Sequence, residues 1–272
     1  MSERERGVAI EVARAAGDLL RRELHGPRRI EYKGAITNLV TEMDARAEAF
    51  IVERLLREFP DDAILAEERG AQRGRSGRRW IIDPVDGTTN YAHGLPAYAV
   101  SIALETAGRV DLGVIYDPSH DELYVAERGR GAFCNGTRLA VSTTTSLDES
   151  LLTTGFPYDI RVNPDNNLKE YAVFATRSRA VRRFGSAVID LAWVACGRYD
   201  GFWELRLGPW DVAAGGLLVE EAGGQLTNIE GGPLDINKPT LVASNGHIHD
   251  AMLAILREVR VREHHRADTR ES

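Results

Sequence analysis

The chain has 272 residues, with 34 basic against 41 acidic side chains and a formal charge of −7. At 43% hydrophobic and 28% charged residues, the composition excludes a disordered chain and leaves room for one large domain or two ordinary ones. The negative balance speaks against a general nucleic-acid binder, and an anionic substrate would have to be attracted by something else, such as bound metal ions.

Cys134 and Cys196 are too few for a disulfide framework and lack zinc-ligand spacing, so they read as buried free thiols of a reducing cytoplasm. Met1 to Arg22 carries charges throughout its apolar pattern and has no signal-peptide core. No apolar run approaches the roughly 20 residues of a membrane span. A cytoplasmic protein with no membrane partner is expected.

In chain order, Val8, Val12, Ala15, Ala16 and Leu19 recur at helical spacing and predict an amphipathic first helix. After Gly26-Pro27, a short extended segment passes through Ile30 and Tyr32 to Lys33-Gly34. A second helix is predicted from Glu42 to Glu58, with Ala47, Phe50, Ile51 and Leu55 on one face and Pro60 beyond its end. Ala63–Ala66 reads as a short strand running into Glu67-Glu68, and Arg69–Arg79 as a loop. Trp80-Ile81-Ile82 is then a buried strand ending at Asp83-Pro84. Tyr98–Leu104, Val110–Tyr116 and Glu122–Ala126 predict an antiparallel meander. The polar run Ser142–Ser150 marks a junction between halves 1–146 and 147–272. Beyond it, strands 151–154, 181–184, 199–204 and 240–244 alternate with helices 165–175, 186–196, 211–222 and one from 247, an α/β pattern. The polar tail from Arg262 is expected to fray.

The strongest chemical signal is Asp83-Pro84-Val85-Asp86-Gly87-Thr88-Thr89-Asn90. Two carboxylates three residues apart stand where a buried strand ends. Pro84 keeps Asp83 extended, and Gly87 permits a tight bend with close approach to the main chain. Carboxylate and carbonyl oxygens suit hard cations, Mg²⁺ above all. A plain Asp-Pro/Asp-Gly turn accounts for the same residues. An EF-hand does not, because Val85 and Gly87 fill its third and fifth positions, and an aspartyl-nucleophile phosphatase would need an acid at Pro84. Glu67-Glu68 follows a strand and reads by itself as a solvated acidic pair, or would meet Asp83 across adjacent strand ends. Asp211 lies in the first turn of a helix, where the dipole alone favours an acid. Acids at these places together would converge on a multi-metal site.

Several of these segments carry a resemblance. Lys33, Asn38 to Asp44, Glu67-Glu68, the run from Asp83 to Asn90, Gly185-Ser186-Ala187, Glu204 and Trp210-Asp211 appear in the order and context of the inositol monophosphatase family of Mg²⁺-dependent, lithium-sensitive phosphatases. The chain resembles that family over nearly its whole length, departing from its Gly-Glu-Glu only at Ala66. The resemblance implies an α+β fold, a layered αβαβα sandwich with an antiparallel-sheet N-terminal half and an α/β C-terminal half. It also implies two to three Mg²⁺ ions and inhibition by Li⁺. Glu67, Asp83 and the Val85 carbonyl would hold the first ion, Asp83, Asp86 and Asp211 the second, and a weaker third would sit near Glu67. Two ions of this kind would clamp the attacking and leaving oxygens of an in-line displacement.

Asp44 and Thr88, with Glu67 assisting, resemble the catalytic set that orients and deprotonates the attacking water. Thr41-x-x-Asp44 also reads as a capping box opening the second helix, which would explain both residues without catalysis. Gly87 and Thr88 would offer N–H groups to phosphate, with Lys33 a nearby positive charge. Asp86, Ala187, Glu204 and Asp211 complete the substrate-binding positions. Glu204 would accept hydrogen bonds from ring hydroxyls; as a bare strand-end acid it would be exposed. Ser186 fits a helix cap equally well.

The basic loop Arg69–Arg79 would attract phosphate or RNA, or be a solvated loop. One of Arg177, Arg179, Arg182 and Arg183 would read a second phosphate. His247, His249 and His264-His265 read as solvated surface residues. No Walker loop, nucleophile elbow or dinucleotide fingerprint is present. The expected function is hydrolysis of inositol 1-phosphate, or a similar polyol or sugar phosphate, and the resemblance implies a homodimer. Alternatives on the same site are fructose-1,6-bisphosphatase, histidinol-phosphatase and 3′-phosphonucleotide phosphatase. A regulatory, RNA-associated binder is the alternative of a different class. The expected partner is a small phosphate monoester rather than nucleic acid.

Overall fold

The computed structural model describes residues 3–26, 30–32 and 39–268, with side chains as far as Val261. Lys33 and Asn38 lie outside the described residues, as do the side chains of His264 and His265.

In the first half, α1 (Glu3–Glu23) precedes a short hairpin of β1 (Ile30–Tyr32) and β2 (Leu39–Thr41), and α2 (Glu42–Glu58) follows directly. Next come β3 (Ala63–Ala66), β4 (Gly70–Gln72), β5 (Arg78–Asp86), the short α3 (Thr88–Ala92) and β6 (Ala99–Thr106). The meander continues through β7 (Arg109–Asp117), β8 (Glu122–Glu127), β9 (Gly131–Cys134) and β10 (Thr137–Arg138). Among the described residues, β10-β9-β8-β7-β6-β5-β3-β4 form one eight-stranded sheet, antiparallel except for β3 beside β5.

The run Ser142–Ser150, including a 3₁₀ turn at Leu147–Glu149, connects this sheet to the second. There follow β11 (Leu151–Thr154), α4 (Leu168–Arg177), β12 (Ala180–Arg182), α5 (Ala187–Ala195) and β13 (Gly201–Glu204). α6 (Pro209–Glu221), β14 (Gln225–Thr227), β15 (Leu241–Ser244) and α7 (His249–Asp268) complete it. The second sheet has the order β12-β11-β13-β15-β14, with both parallel and antiparallel pairs.

The layers follow from side-chain alternation along buried strands. Trp80 and Ile82 of β5 face α1 and α2, while Ile81 between them faces α5 and α6. Phe202, Leu241 and Ala243 of the second sheet close over the other side of α5 and α6. The opposite face of that sheet, with Leu152, Trp203 and Val242, packs on Phe174 of α4 and on Met252 and Leu256 of α7. The result is the expected α+β sandwich, layered αβαβα. No described helix is long and apolar enough to cross a membrane.

Several local expectations change. Arg69–Arg79 is not simply a loop: Gly70–Gln72 pairs back on β3, and Arg78 and Arg79 begin β5, with Arg79 opposite Glu105. Helix 165–175 starts later, at Leu168, and helix 211–222 starts earlier, because Pro209 occupies its first turn without an N–H to lose. The strand that ends at Asp83-Pro84 in the sequence reading runs on to Asp86 through a bulge. The α7 backbone stays helical through Asp268, past the expected fraying point at Arg262. His249 is fully buried between Thr227 and Ser244 rather than solvated, whereas His247 is exposed.

Candidate active site

The site grows out of the end of β5. Its pairing with β6 is regular to Asp83↔Ser101 and then slips to Asp86↔Ala99, placing three residues opposite two. Pro84 cannot donate to the ladder, so the bulge falls where a backbone bond is already missing. Asp83 Oδ1 accepts the N–H of Val85 at 3.0 Å, a local turn that holds the bulge. Gly87 follows with φ 88°, a left-handed bend that releases the chain into α3.

Parallel pairing of β3 with β5 ends at Ala66↔Ile82, and the Glu67 N–H donates to the Ile82 carbonyl at 3.3 Å. This register sets Glu67 beside Asp83. Asp86 reaches across to the second half: the Val188 N–H, in the first turn of α5, donates to Asp86 Oδ2 at 2.8 Å, and the Ser186 hydroxyl donates to the same oxygen. Ser186 also accepts from the Ile189 N–H at 3.2 Å, so it is both cap and site residue. Asp211 caps α6 by accepting the Gly208 N–H at 2.6 Å.

Together these elements bring one oxygen each of Asp83, Asp86 and Asp211 to within 4.8 Å of one another. The Glu67 carboxylate is not part of that tight trio, but Glu67 and Val85 line the same cavity of about 370 Å³. Burial first, then the charges of Glu67, Asp86 and Asp211, push the Asp83 carboxyl well above the usual range. Burial and the neighbouring Asp86 and Glu67 do the same to Asp211. Asp86 is pushed up to about 6 by burial, against the hydrogen bonds from Ser186 and Val188. Asp83 Oδ2 is buried with no hydrogen-bond partner among the described residues. Converging buried carboxylates with an orphaned oxygen fit a hard divalent cation, which would relieve both repulsion and desolvation.

Asp44 stands behind this cavity. The Thr88 hydroxyl lies 3.0 Å from Asp44 Oδ1 and 3.0 Å from the Val85 carbonyl, two acceptors competing for one proton. Asp44 Oδ2 accepts the Thr41 N–H at 2.9 Å, and the capping box expected from Thr41-x-x-Asp44 is formed. Capping and contact with Thr88 therefore coexist, because they use different oxygens. Burial raises the Asp44 carboxyl above its ordinary value.

A second cavity adjoins the first and shares Asp86, Gly87, Thr88 and Asp211 with it. Ala187 and Glu204 line its far side. Glu204 is buried rather than exposed, and burial followed by the charge of Asp190 pushes it up to about 8. Apart from Lys33, Arg177, Arg179 and Arg182, every position singled out as a ligand or substrate contact thus falls on one connected cleft, with Asp44 one hydrogen bond behind it.

Tyr158 and Arg206 line both cavities and were not singled out in the sequence. The sequence offers one turn signal, Pro157 before Tyr158, and none at Arg206, which the structure holds at a left-handed φ of 57° and anchors to Asp159 at 2.7 Å. The basic loop is largely neutralised within the chain: Arg75 pairs with Asp61, Arg78 with Glu5 and Asp62, and Arg79 with Glu105. Arg177 pairs with Glu258, whereas Arg183 lines the second cavity.

Comparison with known proteins agrees with this arrangement. The sequence profile of the inositol monophosphatase family matches residues 2–260. The inositol-1-monophosphatase of Synechocystis is 45% identical over 247 residues, covering 90% of this chain and 86% of the relative. The Nus factor SuhB of Escherichia coli is 41% identical over 254 residues, covering 92% of this chain and 95% of the relative. A solved inositol monophosphatase from Anabaena superposes with a TM-score of 0.84 at 45% identity, covering 93% of this chain and 94% of that one. The chain is a phosphoric monoester hydrolase and belongs to the inositol monophosphatase family.

Proposed function

We propose that the protein is a Mg²⁺-dependent phosphomonoesterase that hydrolyses inositol 1-phosphate, or a closely similar polyol phosphate, to the free alcohol and phosphate. The observation that carries this reading is the continuity of the cleft: the carboxylate trio of Asp83, Asp86 and Asp211 opens directly onto a pocket walled by Ala187 and the buried Glu204. A phosphate at the trio would leave its alcohol facing Glu204.

Glu67, Asp83 and the Val85 carbonyl would hold one ion, Asp83, Asp86 and Asp211 a second, with a weaker third site near Glu67. The chemistry a bound Mg²⁺ supplies is charge neutralisation on the phosphoryl group and a lowered pKa for water. The chain's own work is positioning and proton handling. Thr88 orients water through its hydroxyl and passes a proton toward Asp44, whose carboxyl is raised by burial and so suited to accept one. Glu67 assists from the other side of the cavity. The Gly87 and Thr88 N–H groups receive phosphate oxygens, and Glu204 accepts hydrogen bonds from the alcohol.

A homodimer is part of this reading, supported by an apolar groove beside the site lined by Ile30, Tyr32, Phe156 and Ile160, with Tyr32 57% exposed. Sedimentation velocity tests it.

The deciding experiment is phosphate release with Mg²⁺ from inositol 1-phosphate, fructose 1,6-bisphosphate, histidinol phosphate and 3′-phosphoadenosine 5′-phosphate, with and without Li⁺. Preference for inositol 1-phosphate, lost in Asp83→Asn and inhibited by Li⁺, supports the proposal. Preference for another ester moves the assignment to that substrate. Inactivity of folded, Mg²⁺-loaded protein on all four overturns it.

A further inference from the structure

The parallel register of β11 on β13 runs Leu152↔Gly201, Thr153↔Phe202 and Thr154↔Trp203. One step further along the same register, Gly155 faces Glu204. A Cβ built on Gly155 would stand 2.1 Å from Glu204 Oε1 and 2.2 Å from Oε2, a separation that close-packed atoms do not tolerate. Gly155 is not among the glycines with a left-handed backbone, so its conformation does not demand glycine. Space does: the Glu204 carboxylate occupies the volume in which any side chain at 155 would begin.

The floor beneath that carboxylate cannot retreat. Asn167, 1% exposed, donates through Nδ2 to the Gly155 carbonyl at 2.7 Å and to Thr154 Oγ1 at 2.8 Å, while the Trp203 indole N–H donates to Asn167 Oδ1 at 2.6 Å. The Thr154 hydroxyl in turn donates to the Trp203 carbonyl at 2.5 Å. This buried network ties the ends of both strands together and fixes Gly155 under Glu204. The Glu204 carboxylate itself accepts no hydrogen bond from the described residues and faces the cavity. Of the two parties to a collision at this point, only the Glu204 side chain is free to move.

We propose that Gly155 is a positioning residue for alcohol recognition: by withholding a side chain it lets the Glu204 carboxylate lie back against the strand ends and leaves the pocket open for a polyol ring. This inference rests on the reading of Glu204 as the hydroxyl acceptor. A methyl group at 155 drives the carboxylate into the space the ring would fill, so the penalty falls on polyol phosphates rather than on phosphate esters in general.

The test compares wild type with Gly155→Ala, Glu204→Ala, Glu204→Asp and the double variant Gly155→Ala/Glu204→Asp. It measures KM for inositol 1-phosphate and the ratio of kcat/KM for inositol 1-phosphate to that for ethyl phosphate, whose leaving group brings neither a ring nor hydroxyls into the pocket. Gly155→Ala should raise KM about tenfold and lower the ratio about as much, the effect of losing a ring-hydroxyl hydrogen bond. The double variant, one methylene shorter at 204, should recover part of that loss. If Gly155→Ala fails to fold, the double variant carries the test: folding and ratio restored together support the proposal, and failure of both variants to fold overturns it. A wild-type ratio in Gly155→Ala, or additive losses in the double variant, also overturns it. An unchanged KM in Glu204→Ala removes the reading of Glu204 and the inference with it, whereas a raised KM there beside a wild-type Gly155→Ala removes the inference alone.

Discussion

The Glu48 carboxylate accepts the backbone N–H of Glu68 at 2.7 Å, and its other oxygen accepts that of Arg69 at 3.0 Å. Glu48 lies one helical turn after Asp44 on α2 and is fully buried. The two acids divide the cleft between them: Asp44 backs Thr88, and Glu48 holds the strand end that presents Glu67.

Glu48→Ala leaves two part-buried N–H groups without their carboxylate acceptor. Charge-assisted bonds of this kind contribute about 1.5–3 kcal/mol each, and water reaching these part-buried groups offsets part of their loss, so the variant should lose roughly 2–3 kcal/mol of stability, or about 5–10 °C in Tm. Calorimetry with and without Mg²⁺ checks it. Because Glu67 is loosened, Mg²⁺ affinity measured by titration calorimetry should fall as well, whereas simple destabilisation would leave it unchanged.

Metal removal and Asp83→Asn should act in opposite senses on the free protein. Without a cation, the burial and mutual repulsion that raise Asp83 are a cost to the fold. Asp83→Asn therefore raises the Tm of chelator-treated protein by a few degrees. If the cleft binds Mg²⁺ as proposed, wild type should gain about 2.7 kcal/mol at a hundredfold excess of Mg²⁺ over Kd, visible as a Tm rise, and the variant should lose most of that gain. Scanning calorimetry across a Mg²⁺ series gives both numbers.

Asp44→Asn keeps a carbonyl oxygen for the Thr41 N–H, so the α2 cap survives while proton acceptance is lost. kcat should fall about 10²- to 10⁴-fold with KM and Mg²⁺ affinity little changed. Thr88→Ala should fall in the same range. Steady-state kinetics beside Mg²⁺ titrations separates this pattern from a metal-binding defect, which would lower Mg²⁺ affinity together with kcat.

His249 sets a pH dependence of stability distant from the cleft. Its ring nitrogens lie 2.9 Å from Thr227 Oγ1 and 2.9 Å from Ser244 Oγ, and burial lowers its pKa from the ordinary 6.5. Below 6.5 the unfolded chain binds a proton that the native ring refuses, so stability falls as pH drops, with a limiting slope of about 1.4 kcal/mol per pH unit. Urea titrations between pH 7.5 and pH 5 should show wild type losing stability relative to His249→Gln as pH falls, a difference that isolates the imidazole from the buried carboxyls, whose raised values act in the opposite sense.

Much of the cleft was legible locally. Pro84 keeps Asp83 extended, Gly87 after Asp86 supplies a tight bend, and Thr41-x-x-Asp44 builds its own cap, whereas the bulge that carries β5 on to Asp86 depends on its pairing with β6. The alternation of Trp80, Ile81 and Ile82 announced a strand buried on both faces. The loop reading of Arg69–Arg79 failed because its glycines and charges mimic turn composition, while the partners that make it structured, Asp61, Asp62, Glu5 and Glu105, lie elsewhere in the chain. The solvated reading of His249 failed in the same way, since its two hydroxyl partners stand on other elements.

By itself, then, the sequence determined the chemical inventory and the backbone turns that display it, because propensity, periodicity and capping act over a few residues. Only the tertiary structure decided that Asp211 stands against Asp83 and Asp86, that Arg206 and Tyr158 join the cleft, and that Gly155 makes room for Glu204. Burial, electrostatic coupling and steric room belong to pairs of surfaces brought together by packing, and residues distant along the chain carry no local mark of the partners they will meet.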